Sequence, residues 1–406
     1  MELAIADRLL KGEGTGGVKS LRELTAGIDF LADFWKDKYL EEYIQAGGSK
    51  IKFVTGRPGS GKSHFLKLVS GMAGEMGYKT ASFSAHDIWL HDFKEIYTEI
   101  LAQCDIMECL KGCARLVVEH MGYEPGDIPE GMTFMDYLSL QNMADAITRR
   151  ELRLELKRIF LENPLLDNNF ALACSLLTGG ILGHPVLESQ NRELLLGWMS
   201  GDKTVKLSLL RGLGLSPSRV TKYNARHMLR SLTEVIRMGG HPGLLVTVDD
   251  MEALLNRSGL DTVHYTKVRR EDTYESIRQL IDEIDSLRNI MFVFAFDREL
   301  LDNDSQGIKS YQALWMRIQN EVVGERFNCF ADIVDMDRLG AQVYTPEVLV
   351  EMAEGFRKAL AASGCGMSVL SREKAEAILE QARMGGIGVP RMVLESILET
   401  GGESDG

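Results

Sequence analysis

The segment Gly56-Arg57-Pro58-Gly59-Ser60-Gly61-Lys62-Ser63 reads G-x-x-x-x-G-K-S and follows the apolar run Lys50-Ile51-Lys52-Phe53-Val54-Thr55. A short strand turning through such a loop into the helical run His64-Phe65-Leu66-Lys67-Leu68-Val69 is a cradle for a phosphate chain. Gly56, Gly59 and Gly61, with Pro58 and Ser60 between them, let backbone N–H groups turn inward. The following helix presents its positive end, and Lys62 adds a point charge. Ser63 is then set to hold Mg²⁺ through its hydroxyl.

A second set of residues fits the same chemistry. Leu244-Leu245-Val246-Thr247-Val248-Asp249-Asp250 is an apolar strand ending in acids, as a Mg-nucleotide site needs beside its phosphate loop. Asp249 is the expected partner of Ser63 at the metal. Asp250, or Glu252 two residues on, is expected to orient the attacking water. The alternative is that these acids only cap a helix starting at Met251, a role aspartate favours.

Asp297, directly after Ile290-Met291-Phe292-Val293-Phe294-Ala295-Phe296, is placed to touch the γ-phosphate or its water, or else to cap the turn before Arg298. Arg326 is a candidate to reach a neighbouring subunit's γ-phosphate, with Arg317 competing for the role and surface ion pairing the plain alternative for both. In Gly385-Gly386-Ile387-Gly388-Val389-Pro390-Arg391, Pro390 suits a first helical turn, and Arg391 is held where a lid could bring it onto the nucleotide.

Five strands are expected to position these groups: Lys50–Thr55, Thr80–Ala85, Leu244–Val248, Ile290–Phe296 and, most weakly, Ala331–Met336. Helical patterns separate most of them, which makes the chain α/β with a mainly parallel sheet. The expected organisation is a nucleotide-binding domain over 1–340, a helical insertion at about 87–240 and a small helical lid over 341–406. Long helices are expected at Met143–Glu162 and Val220–Met238 within the insertion. The lid pattern runs through Glu347–Ala362, Ser371–Met384 and Pro390–Leu398.

The 406 residues exceed one average domain, which suits a core with an insertion and an attached lid. No run of 18 apolar residues occurs and the first residues lack a basic leader, so a cytoplasmic protein with no membrane contact is expected. Six cysteines include no C-x-x-C pair, and the steps among Cys104, Cys109 and Cys113 suit packing better than zinc. A net charge of −13 argues against a surface that coats nucleic acid. Asp202 to Gly240 runs the other way, with eight basic residues against Asp202 and Glu234. On a helix from Val220, Arg219, Lys222, Arg226 and Arg230 would share a face, so DNA contact through 203–237 is weighed against an acidic partner and a plain solvated face.

The order of phosphate loop, acid strand, polar strand end, arginine and a lid carrying G-x-P-R resembles AAA+ ATPases, particularly their initiator-like and STAND-related branches. A closer resemblance rests on four patches: Gly14-Thr15-Gly16-Gly17-Val18 through Leu24-Thr25-Ala26-Gly27; Ile51 to Ser63; Arg237-Met238-Gly239-Gly240-His241-Pro242-Gly243 leading to Asp249; and Tyr274-Glu275-Ser276-Ile277-Arg278-Gln279-Leu280-Ile281-Asp282. In that order they look like the ATP-binding protein family of bacterial BREX phage-exclusion systems. The resemblance implies an AAA+-type fold binding ATP and Mg²⁺, homo-oligomeric assembly with sites shared between subunits, and work beside other defence proteins such as a helicase or nuclease. It also marks a departure, because Asp250 stands where the family usually has glutamate. The leading expectation is an ATPase that remodels or loads a DNA-associated complex. The alternative is an ATP-gated scaffold with little hydrolysis, and a small-molecule kinase is a weaker third.

Overall fold

A computed structural model describes residues 8–9, 17–255, 263–319, 327–361 and 367–399. Its centre is a five-stranded, wholly parallel sheet: β1 (Ser49–Gly56), β2 (Lys79–Ser84), β3 (Leu244–Asp249), β4 (Ile290–Asp297) and β5 (Ile333–Asp335), in the spatial order β2-β3-β4-β1-β5. The chain is therefore α/β, as its strand and helix pattern implied.

Side chains alternate across the pleat. Phe292, Phe294 and Phe296 of β4 pack with Phe53 and Val246 into one core, whereas Met291, Val293 and Ala295 join Val54 and Leu245 in the other. Burial on both faces explains why β3 and β4 read as unbroken apolar runs. The second core is covered by the Lys62–Glu75 helix, with Phe65, Leu68 and Val69 fully or nearly buried. The first is covered by helices from the long β2–β3 connection, among them Phe93–Gln103, Ile106–His120, Asn168–Leu182 and Ala225–Met238.

Two expected helices in that connection differ. The Met143–Glu162 pattern begins as a helix at Ala146, where the Asp145 carboxylate accepts from Thr148 N at 2.8 Å, and ends in a wider π-helical turn over Lys157–Leu161. The Val220–Met238 pattern becomes helical only at Ala225. Asn224 Oδ1 takes the Thr221 N–H at 2.7 Å, and its amide bonds Ser218 and Arg219, so a local turn displaces the first helical turn. Arg219 and Lys222 thus lie outside the helix, and the expected four-residue basic face does not form. Its arginines take internal partners: Arg219 donates to Lys203 O, Arg226 to Ser276 O and Arg230 to Pro164 O.

Beyond β5, helices Pro346–Leu360, Arg372–Ala382 and Val389–Glu399 enclose a third apolar cluster of Leu349, Phe356, Ile378, Leu394 and Ile397. Leu24 and Ala26 from the N-terminal side complete it. Thr345 and Ser371 cap the first two of these helices by accepting from Val348 N and Lys374 N. Among the described residues no helix is long and apolar enough to cross a membrane.

Candidate functional site

Parallel register decides what meets what. Gly56 ends β1 opposite Asp297, the last residue of β4, and β4 lies between β1 and β3, which ends in Asp249. The carboxyl ends of three neighbouring strands therefore deliver the loop and the acids to one sheet edge, where open parallel sheets take their ligands. There a cavity of about 260 Å³ is lined by Pro58, Gly59, Gly61, Lys62, Ser63, Asp249, Asp250, Glu252, Asp297 and Arg391. A larger groove of about 590 Å³ lies within the C-terminal helices, but neither the loop nor the acids line it.

The loop turns where φ is positive, at Gly59 (76°) and at Gly61 (90°), which opens the Lys62–Glu75 helix. A Cβ on Gly59 would come within 2.4 Å of Arg391 Cβ, so the loop and the last helix are in close contact. Gly56 and Ser60 lie behind the cavity wall. Gly56 takes the chain out of the strand, and Ser60 is buried, its hydroxyl without a hydrogen bond.

Lys62 is buried, and its ammonium donates to Gly56 O and Arg57 O, both at 3.2 Å, and to Asp297 Oδ1 at 2.7 Å. Asp249 faces the Ser63 hydroxyl, which supports its charge, yet burial and the neighbouring Asp250 carboxylate together raise its pKa above the usual range. Asp250 adopts φ 56°, and its Oδ2 accepts from the Ser84 hydroxyl at 2.7 Å. Glu252 Oε2 accepts from Asp297 N at 3.0 Å. Burial, then the charge of Asp297, push Glu252 up to about 7. Four carboxylates thus crowd one wall against Lys62, with Arg391 engaged by Glu395 one turn along its own helix at 2.7 Å.

That imbalance suits a divalent cation with phosphates. Ser63 and Asp249 offer the hard oxygen donors that Mg²⁺ prefers, and Mg²⁺ in nucleotide sites leans on one or two protein oxygens plus phosphates and waters. Among the described residues no three His, Cys, Asp or Glu side chains form a metal cage.

Two features of the site escape sequence motifs. A small pocket of about 20 Å³ lies behind Ser60 and Gly61, between Thr25, Ala26 and Ile28 on one side and Tyr344, Met352, Phe356 and Pro390 on the other. His64 lines it, and burial lowers its pKa to about 4, so the ring is neutral near pH 7. Thr25 Oγ1 donates to Leu21 O and lies 2.7 Å from His64 Nε2, which makes Nε2 the protonated nitrogen. The second feature is Arg57, whose side chain does not line the cavity and turns instead to Asp337 and the C-terminal helices.

Arg317 is held on the surface, with Nη2 2.9 Å from Asp282 Oδ2 and Nη1 donating to Ala313 O. Arg326 and Gly14 to Gly16 lie outside the described residues.

A family model described as BREX system ATP-binding protein BrxC/D matches residues 19–398. No curated protein and no solved structure matches the chain.

Proposed function

Because the chain belongs to the BREX system ATP-binding protein BrxC/D family, we propose that it binds Mg-ATP in the cavity over the phosphate loop and hydrolyses it in the service of phage exclusion. The observation that carries this reading is the convergence of Lys62, Ser63, Asp249, Asp250 and Asp297 on one cavity at the sheet edge. The bound cation supplies charge that neutralises the phosphates and polarises the terminal one. Lys62 exchanges Asp297 and two carbonyls for β- and γ-phosphate oxygens. Ser63 and Asp249 hold the metal. The Asp250 carboxylate, fixed by Ser84, aligns the attacking water. Glu252, bonded to the Asp297 amide, keeps Asp297 beside the terminal phosphate. The pocket around Thr25, His64, Tyr344 and Pro390 has the apolar walls and few polar groups of a base site, and on this reading it must widen by movement of the C-terminal helices to admit a base.

On this reading the three C-terminal helices are a lid, and Arg391 swings from Glu395 to the nucleotide. Assembly of several copies, with Arg326 completing a neighbour's site, and remodelling of a DNA-bound complex are carried by the family resemblance together with the order of motifs in the sequence. Steady-state phosphate release with Mg-ATP, on wild type, Asp250→Ala and Glu252→Gln, tests the proposal. Turnover abolished by Asp250→Ala supports it, whereas tight ATP binding without any wild-type turnover points to a nucleotide-gated scaffold.

A further inference from the structure

Arg57 is the second residue of the phosphate loop, but its guanidinium does not line the cavity. Nη1 donates to Ala382 O at 2.7 Å and to Gly385 O at 2.6 Å. These carbonyls belong to the last residue of the Arg372–Ala382 helix and the turn beyond it. Such terminal carbonyls lack intrahelical partners and carry the negative end of the helix dipole, so a cation forked onto them is well matched.

The other side of the guanidinium is tied to the sheet domain. Arg57 Nε lies 3.0 Å from Asp337 Oδ1, and Asp337 Oδ2 accepts from Arg57 N at 2.6 Å. The Asp337 side chain is only 9% exposed, so this pair is poorly screened by solvent. The next two loop residues also bond the C-terminal helices, with Gly388 N donating to Pro58 O at 2.9 Å and Arg391 N to Gly59 O at 3.2 Å. At Gly388 the chains touch so closely that a Cβ would lie 2.4 Å from Ser60 N and Cα. Three consecutive loop residues are thus bonded to the lid, and Arg57 alone among them also carries a charge pair back to the sheet domain.

The same residue is joined to the cavity through its carbonyl, which accepts from Lys62 Nζ. A phosphate that draws Lys62 away removes that bond and leaves the Arg57 carbonyl held by Ser60 N alone, at 3.1 Å, so occupancy changes the restraint on the residue whose guanidinium spans Asp337 and the lid. We propose that Arg57 is the positioning residue through which the lid reads occupancy of the phosphate loop. This rests on the reading of the loop as a Mg-ATP site. Because the coupling is reciprocal, a lid docked through Arg57 also biases nucleotide affinity by the same factor.

The test uses the full chain and two measurements, calorimetric Mg-ATP binding and amide hydrogen exchange over 372–399 with and without Mg-ATP. Wild type is expected to bind and to change exchange in that region by about fivefold or more. Arg57→Ala is expected to bind within about tenfold of wild type while the nucleotide-dependent change in exchange disappears. Arg57→Lys keeps the charge but cannot fork across the carbonyls and Asp337, so it should lose the response too. Asp337→Asn, which leaves the lid carbonyl contacts in place, should weaken it and serves where Arg57→Ala fails to fold.

A purely structural arginine gives a different result. Exchange over 372–399 then rises equally with and without nucleotide, the difference between the two states survives, and the inference is overturned. Wild-type protein that binds no Mg-ATP removes the site reading and the inference together. Wild-type binding with variants that keep the full lid response removes the inference alone.

Discussion

Lys62 Nζ and Asp297 Oδ1 lie 2.7 Å apart where β4 ends opposite the phosphate loop, so the ammonium proposed to bind phosphate has a carboxylate partner within the chain. The pair is largely shielded, with side-chain exposures of 8% and 20%, and a triphosphate must compete with it.

That competition gives a first prediction. Asp297→Asn removes the competing charge and its repulsion of the γ-phosphate, and should tighten Mg-ATP binding by about three- to tenfold. Turnover should fall, because the group beside the terminal phosphate has changed. Calorimetry and phosphate release on the same preparations read both effects; weaker binding counts against the placement.

The Ser84–Asp250 hydrogen bond gives a second. Asp250→Ala should leave Mg-ATP affinity within a few-fold of wild type and lower turnover by about 10²- to 10³-fold, the range of a lost general base. Ser84→Ala frees the carboxylate without removing it, and should change turnover by less than Asp250→Ala. Turnover that survives Asp250→Ala and vanishes in Glu252→Gln moves the water-orienting role to Glu252.

Glu252 also sets a pH dependence. Its folded-state pKa is raised to about 7, above its unfolded value, so between the two the folded state binds more protons and stability falls as pH rises. Asp249 is shifted in the same direction. In nucleotide-free protein with EDTA, Glu252→Gln should remove a penalty on the order of 3 kcal/mol above pH 7. Its Tm should exceed wild type at pH 8 and match it near pH 4. The opposite ordering at pH 8 contradicts the buried placement.

Close contact between the loop and the last helix gives a fourth. Gly388→Ala puts a methyl against Ser60 backbone that cannot yield without displacing the phosphate loop. The expected cost is about 1–3 kcal/mol of stability together with weaker Mg-ATP binding. Unchanged thermal unfolding and unchanged affinity show that the contact is not kept in solution.

β3 and β4 were readable because each is a short apolar run, buried on both faces and ending in an acid. The spatial order of the strands was not, because parallel pairing joins segments about 240 residues apart and leaves no local mark, as Ser49 opposite Ile290 illustrates. At the site, the loop and the Asp249–Asp250 pair carry their chemistry in residue type and spacing, and the structure brings them to one cavity. Thr25, His64 and Tyr344 form one pocket only through tertiary packing, and nothing in the identity of Arg57 foretells Ala382 and Gly385 as its partners. The basic stripe failed for a local reason, since the Asn224 side chain captures the Thr221 amide and also bonds Ser218 and Arg219, holding the segment before Ala225 in a turn. Helical periodicity alone carries no sign of that capture.

Calorimetric titration of Mg-ATP into the full chain, beside Lys62→Ala and beside wild type in EDTA, tests the central assignment most directly. The expected result is saturable uptake by wild type that weakens by at least about tenfold on losing the ammonium or the metal. Folded wild-type protein that takes up no Mg-ATP, or a Lys62→Ala chain that binds it as tightly as wild type, contradicts the assignment.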